Sequence, residues 1–289
     1  MLDYSLKLMA LWAVFGAAAT VVAYLADQAR IIHVGAAAIM GVGSYTAALL
    51  ATKLGWTPWL ALSATIPAGI LLGLAIHLAT SRLSDDYLAL ATLAIAVILY
   101  GLMQNLEAIT KGPMGVSSIP QLRPVLGHQA ADILALLVLT SVLINRIRKT
   151  EFGQRVRATR DDQELAENLQ LRVAHVRVAL FVASSAILAA IGGYYAFVLR
   201  FIDPSSFTLR ESITVLAMAL VFKLPLPIRG AAGALFFIAL PEILRFFGME
   251  PTIAAQMRQL VFALALILIA SRSPGMFAQH AFVRGKAHA

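Results

Sequence analysis

The charged residues of this sequence gather in one short segment. Residues 155–177 read RVRATRDDQELAENLQLRVAHVR, with five arginines and four acidic residues, and apolar runs flank them on both sides. Charges of both signs at this density can set the register of a docking surface.

The sequence contains no motif for hydrolysis, for ATP binding or for metal binding by thiolates. There is no HExxH motif, no pair of catalytic carboxylates and no Ser/His/Asp set, which argues against an intramembrane hydrolase. No G-x-x-x-x-G-K-[ST] loop is present to cradle ATP phosphates. The sequence has no cysteine, which excludes disulfides and thiolate metal sites, and we expect no metal site.

The composition is typical of a membrane protein. The 289 residues are 60% hydrophobic and 13% charged, against about 25% charged in soluble domains, and the mean hydropathy is +0.81. The net charge of +8 then indicates Lys and Arg gathered on the cytoplasmic side of a bilayer, rather than nucleic-acid binding.

Nine apolar runs approach or reach the length that a bilayer core requires. The sequence therefore predicts an all-α polytopic membrane protein with about 8–10 transmembrane helices, one of them broken or re-entrant. The second run contains several glycines, and the seventh ends at Pro225 and Pro227, which cannot continue a helix. The predicted spans are 6–25, 31–52, 58–80, 87–106, 131–146, 178–199, 212–228, 230–247 and 253–271.

Basic residues set the predicted orientation. Residues 146–177 contain eight Lys or Arg, which predicts a cytoplasmic segment. Alternation of the spans then places 107–130, 200–211 and 248–252 outside and the C-terminus in the cytoplasm. Nine spans would place the N-terminus outside. The basic residues are Arg146, Arg148, Lys149, Arg155, Arg157, Arg160, Arg172 and Arg177.

The acidic part of the charged segment predicts a short amphipathic helix on the cytoplasmic face. Asp161 and Glu164 fit an N-cap and a capping box. Leu165, Leu169 and Val173 recur every four residues as an apolar stripe. Three interpretations follow from the residues alone: a solvated loop that enforces topology, a helix on the membrane surface, or a helix that docks on a soluble partner.

The same segment resembles the central signature of bacterial branched-chain amino acid ABC transporter permeases of the LivM type, G-R-A-x-R-A-I-R-E-x-E-x-A-A-x-x-L-G-I. SDDYLALATLAIAVIL at 84–99, TKGPMGVSSIP at 110–120 and FIDPSSFTLRESITVLAM at 201–218 resemble further parts of that family in the same order. The matching signature residues are Gly153, Arg155, Arg157, Ala158, Arg160, Asp161, Glu164, Ala166 and Leu169.

The resemblance implies a pore-forming subunit of an ABC importer in the bacterial inner membrane. The permease domain would be 1–275, with a coupling segment at 147–177 that contacts an ATPase, and 276–289 a cytoplasmic tail. This chain would bind no cofactor, and ATP and Mg would lie on two partner ATPase subunits. The coupling residues implied are Arg155, Arg157, Arg160, Asp161, Asp162, Glu164, Leu165 and Leu169.

The resemblance also implies a second permease subunit, identical or related, and a periplasmic solute-binding protein. Relatives carry branched-chain amino acids, amides, urea or aromatic acids. Here FKLPLPIRG replaces a Gly-rich family loop. Two other classes stay open: an ion-coupled secondary transporter without an ATPase, and a non-transporting assembly subunit.

A weaker set of residues could line a substrate path on the external side: Gln104, Asn105, Gly112, Gly115 and Ser117. Helix capping and an ordinary turn-rich loop are the simpler interpretations of this set. Glu242 and Arg245, three residues apart, predict a local ion pair near the outer interface. Gly69 and Gly73 form a GxxxG pattern that predicts close helix packing.

Overall fold

The computed structural model describes residues 2–246, apart from 82, 84 and 123–125, together with 260, 263, 264 and 267. That part of the chain is built of α-helices, and its only β-pairing is one bridge between Val116 and Ile202. The all-α prediction is confirmed. The helices are α1 (Leu2–Ala29), α2 (Ala36–Lys53), α3 (Pro58–Thr80), α4 (Asp85–Asn105), α5 (Glu107–Thr110), α6 (Leu126–Lys149), α7 (Glu151–Asp161), α8 (Gln163–Asn168), α9 (Val173–Leu199), α10 (Leu209–Leu220) and α11 (Leu226–Phe246).

Within the described residues, four helices are long and apolar enough to cross a membrane. They are Tyr4–Ala29 of α1, all of α3, Tyr87–Asn105 of α4 and all of α9. The protein is therefore a multi-pass membrane protein. The ninth predicted span, 253–271, lies mostly outside the described residues, as does the tail 276–289, so the full span count stays a prediction.

Helices α1 and α9 form the centre of the bundle. Helix α9 packs against α3, α2 and α1, while α1 also packs against α11, α6 and α10. The apolar window of α1 is 72% buried, whereas that of α4 is only 22% buried. The apolar side chains that α3 and α4 expose, such as Leu71 and Leu78, suit a surface covered by lipid.

Glycines allow α9 to touch its neighbours backbone to backbone. A Cβ on Gly43 would overlap the Ala189 carbonyl, and one on Gly192 would overlap the Met40 carbonyl. The hydroxyl of Ser44 donates a hydrogen bond to the Gly192 carbonyl at 2.6 Å across this α2–α9 crossing. Such close packing stabilises helix association in lipid, where the hydrophobic effect does not drive helices together.

The GxxxG pair of α3 has the packing role that the sequence predicts. A Cβ on Gly69 would lie 2.6 Å from the Ser185 carbonyl oxygen, and one on Gly73 would lie 2.8 Å from that of Phe181. Both glycines therefore sit directly on α9, and the spacing of four residues keeps them on one face of α3.

The interrupted span is the seventh and not the second. The second runs as one helix, Ala36–Lys53, after a non-helical stretch at 30–35. The predicted span 212–228 is wrong as a single element, because α10 ends at Leu220 and α11 begins at Leu226. Pro225 lacks the N–H that would continue α10, whereas Pro227 is tolerated in the first turn of α11.

Candidate functional site

A sharp corner begins the coupling segment. Thr150 caps α7 by accepting a hydrogen bond from the Gly153 N–H at 3.4 Å. Gly153 is buried, and a Cβ there would lie 2.5 Å from the carbonyl oxygens of Ile147 and Arg148. Glycine at this position therefore lets α7 fold back closely against the end of α6.

The charged segment forms two helices where the sequence predicted one. Residues 151–161 are helical, the backbone is extended at Asp162 (φ −154°), and α8 follows. The predicted N-cap at Asp161 is wrong, because Asp161 still belongs to α7. The Asp162 carboxylate caps α8, accepting from the Leu165 N–H at 2.9 Å, since extended geometry is what a capping side chain requires. The Glu164 side chain lies outside the described residues.

Two of the predicted coupling arginines hold the segment in place. Arg157 donates to the Arg148 carbonyl at 3.1 Å and to Oε1 of Gln28 at 3.3 Å. Arg160 donates to the Asp27 carbonyl at 2.7 Å and pairs with Asp161 at 2.6 Å. Their guanidinium groups bind the C-terminal end of α1. Arg155 instead forms an exposed pair with Glu151 at 3.4 Å.

The end of α1 also holds the start of α11. The Asp27 carboxylate pairs with Arg229 at 2.7 Å, and both side chains are largely buried. The Nε of Arg229 donates to the Leu224 carbonyl at 2.9 Å, within the FKLPLPIRG stretch. We call this set the α1-end cluster: Asp27, Gln28, Arg157, Arg160 and Arg229. Sequence reasoning missed this cluster, because its members lie far apart along the chain.

Two large apolar side chains of the segment are exposed among its charged residues. Leu165 is 55% exposed and Leu169 is 67% exposed, whereas Ala166 between them is buried. Val173, predicted to share their stripe, is buried in the first turn of α9. The predicted three-residue stripe therefore reduces to two leucines, which we call the α8 leucine pair. Asp161 and Asp162, both exposed, flank the pair with charge.

On the opposite side of the bundle, two loops meet. Val116 and Ile202 exchange backbone hydrogen bonds at 2.8 and 3.1 Å. Gly115 is buried with φ +69°, and a Cβ on it would overlap the Ile202 carbonyl oxygen. The loop around 115 is thus fixed to the loop around 202.

The remaining residues predicted to line a path do not converge on one site. Asn105 donates to the Gly101 carbonyl of its own helix at 2.7 Å, which is the capping role. Gly112 is buried, and its N–H donates to Thr110 Oγ1 at 3.2 Å. Gln104 is half-buried and contributes its carbonyl beside Gly112. Ser117 is exposed. Their part in a substrate path stays a prediction.

The family model for the permease component of the branched-chain amino acid transport system matches residues 4–270 of the chain. The chain belongs to this permease family. The matched region contains the described helices apart from the first two residues of α1, and it includes the charged segment 147–177.

Known permeases show how far the similarity extends. The chain is 28% identical to the high-affinity branched-chain amino acid permease LivM of Salmonella typhimurium, over 74% of this chain and 55% of the relative. It therefore spans about half the length of that relative. It is 26% identical to a probable branched-chain amino acid permease, LivH, of Methanocaldococcus jannaschii, over 79% of this chain and 78% of the relative. It is 30% identical to the guanosine permease NupQ of Bacillus subtilis, over 77% of this chain and 75% of the relative. No solved structure matches the chain.

We expect Arg229→Ala to destabilise the permease by about 3 kcal/mol, because it leaves the Asp27 carboxylate largely buried without its cation. Thermal unfolding of the purified permease in detergent would measure this. Arg155→Ala is the matched control, because it removes an exposed pair worth no more than about 1 kcal/mol. Equal losses in the two variants would contradict a structural role for the α1-end cluster.

We also expect Gly115→Ala to lower the unfolding midpoint clearly more than Gly55→Ala. Both glycines have positive φ, +69° and +66°, and Gly115 also has ψ −176°, a region that only glycine readily occupies, so alanine is strained at both positions. A Cβ at 115 also strikes the Ile202 carbonyl, whereas one at 55 meets nothing within 4 Å. Similar midpoints for the two variants would show that the contact between the two loops contributes nothing to stability.

Proposed function

We propose that this permease is a membrane subunit of an ATP-binding-cassette importer that moves a branched-chain amino acid or a related small organic solute across the inner membrane. Its partners would be two cytoplasmic ATPase subunits carrying ATP and Mg, a second permease subunit and a periplasmic solute-binding protein. The coupling segment and the C-terminus would face the cytoplasm.

The exposure of the α8 leucine pair is the observation that supports the proposal of an ATPase partner. Two large apolar side chains are exposed in a segment otherwise rich in charge, Leu165 on the six-residue helix α8 and Leu169 as its C-cap. Exposed apolar groups with a polar rim are typical of surfaces that bind another protein. A loop that served topology alone would gain nothing from exposing both leucines. A helix lying on the membrane would carry basic and aromatic residues, and α8 has neither.

The contacts that hold the coupling segment against α1 support the proposal that it transmits force from the ATPase to the membrane helices. Arg157 and Arg160 attach it to the end of α1, and Asp27 attaches α1 to the start of α11 through Arg229. A push on α8 would thus reach two long helices through short, directional contacts. The names of the relatives support the solute class, because they include branched-chain amino acid and guanosine permeases.

The test is purification of tagged permease from its native membrane, followed by mass spectrometry of the proteins that accompany it. We expect a P-loop ATPase, a second permease and, after mild crosslinking, a solute-binding protein. ATP hydrolysis by the complex should rise when the loaded binding protein is added. A permease that purifies alone and moves solute on an ion gradient would overturn the proposal in favour of a secondary transporter.

A further inference from the structure

A cavity of about 430 Å³ lies at the end of α1 farthest from the coupling segment. It is formed by the first half of α1, the start of α10, the second half of α11 and Leu199 at the end of α9. Its volume is within the range of small-ligand sites in proteins.

The mouth of this cavity lies at a membrane–water interface. Lys7 at the mouth and Asp27 in the α1-end cluster are separated along one helix by a rise of ~30 Å, which is the thickness of a bilayer's hydrocarbon core. Since the α1-end cluster contacts the polar coupling segment on one side of the membrane, the cavity opens at the other side.

Charges of both signs surround the mouth. Lys7 and Arg210 supply two cations, and Glu211 and Glu242 supply two carboxylates. The Tyr4 hydroxyl donates to Oε1 of Glu242 at 2.5 Å, which links α1 to α11 at this level. The mouth is therefore formally neutral but able to bind an anionic group and an ammonium group at once.

The interior of the cavity is apolar. Met218 and Phe237 are 3% and 4% exposed and close its floor. Leu11, Phe15 and Ile238 complete the wall. Phe15 lies eight residues beyond Lys7 on α1, or ~12 Å deeper along the helix. An apolar group that entered between the mouth charges would therefore leave water.

We propose that this cavity binds a zwitterion in which an ammonium and an anionic group are neighbours and an apolar part follows them. The anionic group accepts from Arg210 and Lys7, the ammonium donates to Glu242 and Glu211, and the apolar part lies on Phe237 and Met218. Two molecules at this interface carry that chemistry: a free aliphatic amino acid, and a phospholipid with an ethanolamine headgroup. An uncharged nucleoside matches neither pair of mouth charges.

The proposal needs no ATPase partner, so it is tested on the permease alone and stands or falls separately from the proposed function. The full chain is placed in phosphatidylglycerol nanodiscs, and binding of radiolabelled L-leucine is measured by equilibrium dialysis. 4-Methylpentanoate, which is leucine without the ammonium, and isoamylamine, which is leucine without the carboxylate, serve as competitors. In parallel, nanodiscs of mixed phosphatidylglycerol and phosphatidylethanolamine are solubilised, and the lipid retained per chain is counted by native mass spectrometry.

Neutralising either sign at the mouth should weaken binding. We expect Arg210→Gln and Glu242→Gln each to lower affinity roughly tenfold, the loss typical of a charge-assisted hydrogen bond. Glu151→Gln, which removes an exposed carboxylate at the opposite end of the bundle, is the matched control and should have no effect. Because Glu242 also accepts from Tyr4, the Arg210 variant keeps the test valid if the Glu242 variant fails to fold.

The outcomes identify the source of the ligand. Saturable leucine binding that both variants weaken, with poor competition by 4-methylpentanoate and isoamylamine, supports a solute site. Selective retention of phosphatidylethanolamine that both variants abolish supports a lipid site. If neither ligand binds, or if binding is the same in both variants and the control, the cavity is not a zwitterion site.

Discussion

Replacing both Leu165 and Leu169 by glutamate is expected to abolish capture of the proposed ATPase partner while leaving the permease folded. The two side chains are 55% and 67% exposed, so the permease itself loses little packing. Burying both in a partner's groove would contribute roughly 3 kcal/mol or more. The apparent dissociation constant should therefore rise about 100-fold or more. Co-purification from membranes and ATP hydrolysis by the assembled complex measure the loss.

Asn168→Glu is the matched control for this double variant. It places a new carboxylate on the same short helix, at an exposed position outside the α8 leucine pair. We expect it to retain the ATPase at near wild-type levels. If the double variant also retained its ATPase, α8 would not be the docking element, and the partner would have to be sought elsewhere on the permease.

Gly192→Val is expected to prevent stable folding of the permease. The Cβ of any residue at 192 overlaps the Met40 carbonyl, and the Ser44 hydrogen bond at 2.6 Å holds the two backbones at that separation. Valine forces α2 and α9 apart along their whole contact, which loses dispersion contacts and a buried hydrogen bond. We expect a loss above about 4 kcal/mol, a size seen only for severe core substitutions.

Gly101→Ala is the matched control, since it also changes a glycine within a helix, but a Cβ there meets nothing within 4 Å. It should leave the unfolding midpoint unchanged or raise it slightly, because alanine favours helix. The measurement is the yield of monodisperse protein and its thermal unfolding in detergent. A Gly192→Val permease as stable as the Gly101→Ala control would mean that α2 and α9 do not cross this closely.

The sequence was a good guide to the helices that meet lipid. Long apolar runs bounded by polar residues predicted α3, α4 and α9 to within five residues at each end, because a bilayer imposes length and composition on a helix directly. Pro225 and Pro227 also indicate the correct place for an interruption, although the predicted span 212–228 extends across it. The glycines of the second run permit either a break in the helix or close helix packing. In the structure they serve close packing at the α2–α9 crossing.

The coupling segment was predicted less completely. Its helical character and its apolar leucines could be read from spacing, but the direction of each arginine could not. Whether Arg160 faces a partner or α1 depends on the break at Asp162 and on the corner at Gly153, which decide how α7 is rotated. The Asp27–Arg229 pair joins residues 202 positions apart (229 − 27), so no local pattern could reveal it.

The α2–α9 crossing has a mechanical consequence for the opening to each side in turn that the proposed import function requires. Helices whose backbones touch at Gly43 and Gly192 cannot slide past one another without a collision between a carbonyl and a Cα atom. The pair should therefore move as one rigid body, and movement between helices falls to interfaces made by longer side chains, such as that between α1 and α9, where the rings of Phe15 and Tyr195 meet edge to face. Spin labels on α2 and α9 should report one distance in both open states, while labels on α9 and α11 should report two.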